Sequence, residues 1–210
     1  FILCHNMKLL SLSVAIICDA TLGNFERATA TRSVLESFGI QVYFYRLLQQ
    51  QNLLDFFAGN YANCDYVIWY CFGCTNEKGE EQVNFQVVHQ QNNDYEDKSN
   101  WQRVQFSLTP SNLADHIKNP KGTLICGAMI ADKWVESILK AGYKACITPT
   151  TADLACNAEM LFLTGFFYYL TMHGLDYYTG QKFTPLAAVE CAAAMDRHYE
   201  GGTRLFHYYQ

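Results

Sequence analysis

Cysteine thiols are the side chains of this sequence best suited to covalent chemistry. Cys71 and Cys74 form a C-x-x-C pair after an apolar run, a spacing that is typical of redox motifs. Such a pair works as a redox couple when a helix begins at its first cysteine, because the helix N-terminus lowers the thiol pKa. The polar residues 75–81 show no helical face, and the sequence offers no second C-x-x-C or spaced histidine pair for zinc. We therefore expect coincidental spacing here, with no metal and no cofactor.

A nucleophilic thiol, Cys126 or Cys71, could attack a carbonyl carbon, as the thiol of a cysteine endopeptidase does. Thiol catalysis also requires an imidazole that manages protons. The histidine nearest in sequence to Cys71 is His89, which lies in the polar excursion at 75–100. A thiol inside an apolar strand, such as Cys126, is usually an inert small hydrophobic group. The residues favour inert thiols, and the peptidase remains an alternative.

Strands that alternate with helices must position these residues. Apolar runs typical of strands occur at 9–18, 42–45, 65–71, 123–126 and 145–148. Helical periodicity or helix-end signals occur at 23–38, 53–57, 131–141, 152–172 and 186–199. Thr109-Pro110 is a further helix-opening pair. Residues 75–100 form a polar excursion from the core, with a strand at 83–89, and regular structure returns at 104–108. This order predicts an α/β fold, a three-layer αβα domain over residues 1–210 with a mainly parallel central sheet.

Ligands of such sheets bind beyond the carboxyl ends of the strands. The loops at those ends are 19–23, 71–74, 127–129 and 149–153, and the candidate binding residues in them are Asp19, Gly73, Gly127 and Asp153. We expect Asp153 to cap the long helix that follows it, since a carboxylate satisfies free amides in a first turn. For Asp19, capping and ligand binding are equally compatible with the sequence.

Two motifs stand at the ends of neighbouring predicted strands. Asp-Tyr-Val-Ile-Trp-Tyr-Cys-Phe-Gly occupies 65–73, and Thr-Leu-Ile-Cys-Gly-Ala-Met occupies 123–129. They resemble the stretches of the caspase-like cysteine peptidases, including the CHAT domains related to caspases and separase, that carry a catalytic His-Gly and a catalytic cysteine. An Ala-Gly turn within 138–147 and the Phe-Tyr helix at 166–170 are also similar to that family. The likeness extends from about Lys8 to Ala194.

The resemblance places the family's histidine at Phe72 and its cysteine at Met129. A phenyl ring and a thioether have no proton to exchange, so this pair cannot perform thiol catalysis. Sulfur packs favourably against an aromatic ring, and we expect the two side chains to touch at the strand ends. The resemblance therefore implies a catalytically degenerate pseudo-peptidase that binds or regulates another protein. It also implies that acidic groups after the first and fifth strands, Asp19 and Asp153, line a pocket for a basic substrate residue.

Composition excludes several classes of function. The 210 residues are 50% hydrophobic and 17% charged, with a net charge of −5, which excludes disorder and gives no basic footprint for nucleic acid. The odd count of nine scattered cysteines is typical of reduced thiols and predicts a cytoplasmic protein. No uncharged apolar run reaches the roughly 18 residues of a membrane span. The run at 160–172 has the length of a buried helix.

The expected partner is another protein or a longer parent chain, and an exposed edge strand would also allow homo-oligomers. Tyrosines near the carboxyl end, among them Tyr208 and Tyr209, add to the expectation of an interface. A flavodoxin-like small-molecule binder is a further alternative. It would require a deep, polar, positively lined crevice over the strand ends.

Overall fold

The computed structural model of the chain describes residues 12–46, 49–59, 63–90, 101–128, 132–149, 156–171, 180–194 and 206–210. The strands are β1 (Ser13–Cys18), β2 (Gln41–Arg46), β3 (Tyr66–Tyr70), β4 (Phe72–Thr75), β5 (Glu81–Gln90), β6 (Trp101–Leu108), β7 (Thr123–Cys126), β8 (Ala145–Pro149) and β9 (Phe206–Tyr209). The helices are α1 (Leu22–Ser37), α2 (Gln50–Ala58), α3 (Leu113–His116), α4 (Asp132–Lys140), α5 (Cys156–Leu170) and α6 (Pro185–Ala194).

The central sheet has six strands in the order β2-β1-β3-β7-β8-β9. β2, β1, β3, β7 and β8 run parallel, and β9 pairs antiparallel with β8. β1, β3, β7 and β8 are continuous apolar runs because both of their faces are covered. The predicted α/β fold with a mainly parallel central sheet is confirmed.

Two apolar clusters cover the two faces of this sheet. On one face Val14 and Ile16 of β1 pack with residues of α1, α5 and α6. On the other face Ala15 and Ile17 pack with residues of α2, α4 and the strands β5 and β6. Successive residues of β1 alternate between the clusters because side chains of a strand point to opposite faces. The three layers are therefore helices, sheet, and a mixed layer of helices and strands.

The mixed layer contains a small antiparallel sheet in the order β4-β5-β6. The sequence predicts that residues 75–100 leave the core, but Val83, Phe85 and Val87 are fully buried against it. Alternate residues of β5 are apolar, so one face of the small sheet packs inward while the polar face points outward. The strand predicted at 83–89 is confirmed as part of β5. The prediction that this segment leaves the core is wrong for the inward face of β5, whose apolar side chains are buried.

Two differences from the predicted elements have physical reasons. The pair Thr109-Pro110 does not open a helix, because Thr109 closes a turn by accepting hydrogen bonds from the N–H groups of Asn112 and Leu113, and α3 begins after it. Strand β9 was not predicted. Its Tyr208 and Tyr209, which the sequence assigns to an interface, are half-buried in the sheet.

The helices over the described residues are too short or too polar for a bilayer crossing. Residues 9–11 of the strand predicted at 9–18 fall outside the described residues. Parts of the helices predicted at 152–172 and 186–199 also fall outside them.

Candidate functional site

Asp19 follows β1 directly and is completely buried. Its Oδ1 accepts hydrogen bonds from the N–H of Thr21 at 2.9 Å and from Nδ2 of Asn24 at 3.1 Å. Its Oδ2 accepts one from the N–H of Gln86 at 2.9 Å, and the N–H of Ala20 donates to the carbonyl of Gln86 at 2.8 Å. The carboxylate therefore shapes the turn into α1 and fastens β5 to the end of β1. All three of its described hydrogen bonds are to groups of the chain itself.

A charged pair that the sequence did not predict lies beside Asp19. Arg27 of α1 donates from Nη1 to Oε2 of Glu159 on α5 at 2.8 Å, and its Nη2 donates to Oδ1 of Asn24. The guanidinium also lies 5.4 Å from the centre of the Tyr70 ring, at the end of β3. Glu159 is only 3% exposed, and burial raises the pKa of its carboxyl while Arg27 pulls that pKa down. The pair ties two helices together across the carboxyl edge of the sheet.

Gly127 is the first residue beyond β7 and lies against this pair. Its N–H donates to the carbonyl of Trp69 at 3.2 Å, which continues the pairing of β7 with β3. A Cβ at position 127 would overlap Oε1 of Glu159. Close approach of the buried carboxylate therefore requires glycine here. Gly73, the other glycine among the candidates, lies exposed in β4.

The two candidate thiols face each other beneath the strand ends. Sγ of Cys71 lies 3.9 Å from Sγ of Cys126, and the Cys71 thiol is also 3.9 Å from the carbonyl of Trp69. Both cysteines are buried. Burial raises the pKa of Cys71 well above its ordinary value, and the neighbouring Cys126 raises it further. At neutral pH the Cys71 thiol keeps its proton and lacks the thiolate that a nucleophile needs.

Imidazoles are absent from the described contacts of these thiols. Among the histidines whose side chains the structure describes, His116 packs its ring against Phe106 and His207 lies against Tyr209. His207 is exposed on β9. The described contacts thus give neither Cys71 nor Cys126 a base.

Phe72 begins β4 immediately after Cys71, and its side chain is 43% exposed. Met129 and Asp153 lie outside the described residues, so their predicted roles remain predictions, including the contact of Phe72 with Met129. The strands that lead to Phe72 and Met129 are nevertheless neighbours, because Trp69 of β3 pairs in register with Cys126 of β7. The backbone therefore brings the two motifs of the resemblance to one place on the sheet edge.

The C-x-x-C pair is followed by a strand rather than a helix. Cys74 is exposed on β4, where its sulfur accepts hydrogen bonds from Nδ2 of Asn84 at 2.8 Å and from Nε2 of Gln82 at 3.4 Å. No helix therefore begins at Cys71. Over the part of the chain that the structure describes, no cluster of histidine, cysteine and acidic residues could hold a metal ion.

A cavity of about 820 Å³ opens between the β4–β5 turn, the segment before α3 and the first two turns of α4. Its charged lining is Lys78, Glu80, Glu81, Lys133 and Glu136. The flavodoxin-like alternative requires a positively lined crevice over the carboxyl ends of the strands. The lining of this cavity carries three carboxylates against two amines, so it does not favour that alternative.

Comparisons with known proteins give no family. No protein-family model matches the sequence, and no curated protein matches it. Four chains of solved structures give a match. One is the two-electron reduced flavodoxin of Megasphaera elsdenii, with 14% sequence identity and a TM-score of 0.29. The match covers 62% of this chain and 79% of the flavodoxin. The apo-structure of D-lactate dehydrogenase from Escherichia coli matches with 12% identity over 73% of this chain and a TM-score of 0.31. This chain spans 35% of that dehydrogenase. Both TM-scores are too low to carry an argument about function.

Proposed function

We propose that the chain is a catalytically degenerate caspase-like or CHAT-like domain, a pseudo-peptidase that acts by binding or regulating another protein. The observation that carries the proposal is Phe72. Where the resemblance expects an imidazole at the end of β3, a half-exposed phenyl ring stands at the start of β4. A phenyl ring cannot accept or donate a proton, so the position retains a contact surface without catalysis.

The thiols below Phe72 support the same conclusion. A peptidase thiol must be ionised and reachable, and it must share a proton with a base. Cys71 and Cys126 are buried, their sulfur atoms lie 3.9 Å apart, the Cys71 thiol also contacts the carbonyl of Trp69, and burial raises the pKa of Cys71. These surroundings favour inert thiols over the alternative of an active cysteine endopeptidase.

Alkylation of the native protein tests the loss of catalysis. With iodoacetamide and peptide mapping, we expect Cys74 to react first because it is exposed, and Cys71 and Cys126 to react only after unfolding. Cys74→Ser is the control that removes the expected label without touching the buried pair. Fluorogenic peptides with basic, acidic and apolar residues before the scissile bond should show no turnover. Fast labelling of Cys71 or Cys126, or turnover that Cys126→Ser or Cys71→Ser abolishes, would contradict the proposal.

Native mass spectrometry tests the binding half. A polypeptide that copurifies at a defined stoichiometry is the expected result. A small non-covalent ligand held at the strand ends, with no polypeptide, would instead support the small-molecule binder.

A further inference from the structure

Strand β4 forms an open edge next to the candidate site. In the small sheet β4-β5-β6 it pairs with β5 on one side only, and all four of its residues are exposed. Over the described residues, no hydrogen bond reaches the backbone of β4 from its outer side. Alternate residues of such a strand therefore direct N–H and C=O groups into solvent, as a template for another strand.

Described residues cover the continuation of this edge along β5, but none of them covers β4. Beyond the start of β4 at Phe72, the same side of β5 is satisfied by the carboxylate of Asp19 and the N–H of Ala20, both at Gln86, and by a bridge between Gln49 and Val88. Within the part of the chain that the structure describes, β5 thus has further partners where β4 does not reach, and β4 has no partner strand on its outer side.

The edge also lacks charge and proline, two of the features that normally prevent pairing. Phe-Gly-Cys-Thr contains no charge and no proline, whereas β6 at the other edge carries Arg103. The cross-strand partners of Phe72 and Cys74 are Asn84 and Gln82, so these two side chains share the outward face of the sheet. The exposed phenyl ring of Phe72 therefore offers an apolar contact beside the open backbone. The four residues are too few for fibre-like stacking but enough for a short peptide.

Charge near the far end of β4 indicates which kind of peptide fits. The turn after Thr75 carries Glu77, Glu80 and Glu81 against a single Lys78. The whole chain has a net charge of −5, which repels a second copy at long range and attracts a basic segment. The chemistry of this edge is thus apolar at one end and acidic at the other.

We propose that β4 receives an extended segment of a partner protein as a fourth strand of the small sheet. The segment carries an apolar side chain against Phe72 and a lysine or arginine near the acidic turn, and backbone hydrogen bonds supply most of the binding. This inference rests on the proposed function, since it names the surface through which a non-catalytic domain would bind.

The probe is the synthetic peptide acetyl-Lys-Thr-Val-Thr-Val-Thr-Lys-amide, titrated into ¹⁵N-labelled protein. Lysine at both ends allows either strand direction. We expect amide shifts centred on 72–75, with an affinity on the order of 10⁻⁴ M. The same peptide N-methylated at its five central residues should bind at least ~10-fold more weakly, because those residues can no longer donate backbone hydrogen bonds to β4. A peptide with glutamate in place of both lysines should also bind more weakly, and added salt should reduce that difference.

Two variants test whether the peptide binds specifically at β4 or nonspecifically to exposed apolar side chains. Phe72→Ala should weaken the peptide about 3-fold to 10-fold through loss of apolar contact. Leu186→Ala is the matched control, since Leu186 is 48% exposed but lies on α6 in the opposite layer. Circular dichroism of each variant confirms that it is folded.

Several results would overturn the inference: no shifts in β4 at 2 mM peptide, equal binding of the N-methylated peptide, shifts centred elsewhere, or concentration-dependent pairing of β4 between two copies. Peptidase activity would overturn the proposed function and leave peptide binding at β4 intact. An inactive protein whose β4 ignores the peptide would overturn this inference alone.

Discussion

Replacing Arg27 by methionine tests whether the buried charged pair holds the carboxyl edge together. Arg27→Met keeps an unbranched side chain of similar reach and removes the charge, which leaves the carboxylate of Glu159 without its counter-ion. Breaking a fully buried ion pair costs about 3–5 kcal/mol. The side chain of Arg27 is 24% exposed and that of Glu159 is 5% exposed, so water compensates in part. We therefore expect a loss of about 2–3 kcal/mol in the free energy of unfolding at neutral pH.

The pH dependence of this loss follows from the pKa of Glu159. Burial raises that pKa above its ordinary 4.5 in the folded state, so ionising the carboxyl is harder in the folded than in the unfolded chain. The associated stability is fully present below the unfolded pKa and declines as pH rises through the folded pKa. Arg27 lowers the folded pKa, and its removal extends this decline to higher pH. The deficit of Arg27→Met should be small at pH 4.5 and largest at pH 7.5.

Urea unfolding at the two pH values, followed by the fluorescence of the buried Trp69 and Trp134, measures the effect. Adding Glu159→Gln to Arg27→Met should remove most of the pH dependence, since the amide does not titrate. Lys140→Met is the control, because it breaks an ion pair with Glu136 that is exposed on both sides and should change nothing measurable. A deficit below about 0.5 kcal/mol at pH 7.5, or an equal deficit at both pH values, would refute the reasoning.

Three further substitutions probe the central sheet and the elements around it. Gly122→Ala should lower the free energy of unfolding by about 3 kcal/mol, because the new Cβ would overlap backbone atoms of Cys64 and Asp65. Gly23→Ala in α1 meets nothing within 4 Å and should raise it by about 0.5–1 kcal/mol. Urea unfolding compares the two variants, and equal effects would contradict the clash. Asp19→Ala should lower the free energy of unfolding by about 3 kcal/mol, because three donors lose their acceptor. It should also speed hydrogen exchange at the Gln86 amide. Unchanged exchange at that amide would show that other contacts hold β5 in place.

Much of the fold could be predicted because parallel strands buried on both faces have a strong signal. The apolar runs that end at Cys18, Tyr70 and Cys126 do not alternate between apolar and polar residues, because both faces of these strands are covered. Helix ends were marked by Gly39 and Gly142, which have positive φ values of 77° and 112° that other residues rarely adopt. Strand β9 escaped prediction because four aromatic-rich residues are too few for a period. Its partner β8 is distant in sequence.

Part of the geometry around the candidate site could be predicted. The order of elements fixes where strands end, and the structure has Asp19, Phe72 and Gly127 just beyond β1, β3 and β7, while their functional roles stay predictions. The pair of Arg27 with Glu159 was not foreseen, since charges on helices are ordinarily solvated and 132 positions separate the two. The one signal in the sequence is that Glu159 is the only acidic residue in the otherwise apolar α5. Such a carboxylate needs a partner, but the sequence does not say which.

The antiparallel strand β9 has a consequence for biosynthesis. Its residues 206–209 complete the hydrogen bonding of β8, which ends at Pro149. On a ribosome that adds about 5–20 residues per second, β8 emerges seconds before the residues that will cover it. During that interval the nascent chain presents an apolar strand, Ala-Cys-Ile-Thr, with one side unpaired. Chaperones that hold nascent chains would therefore be most valuable to this protein between the emergence of β8 and that of β9.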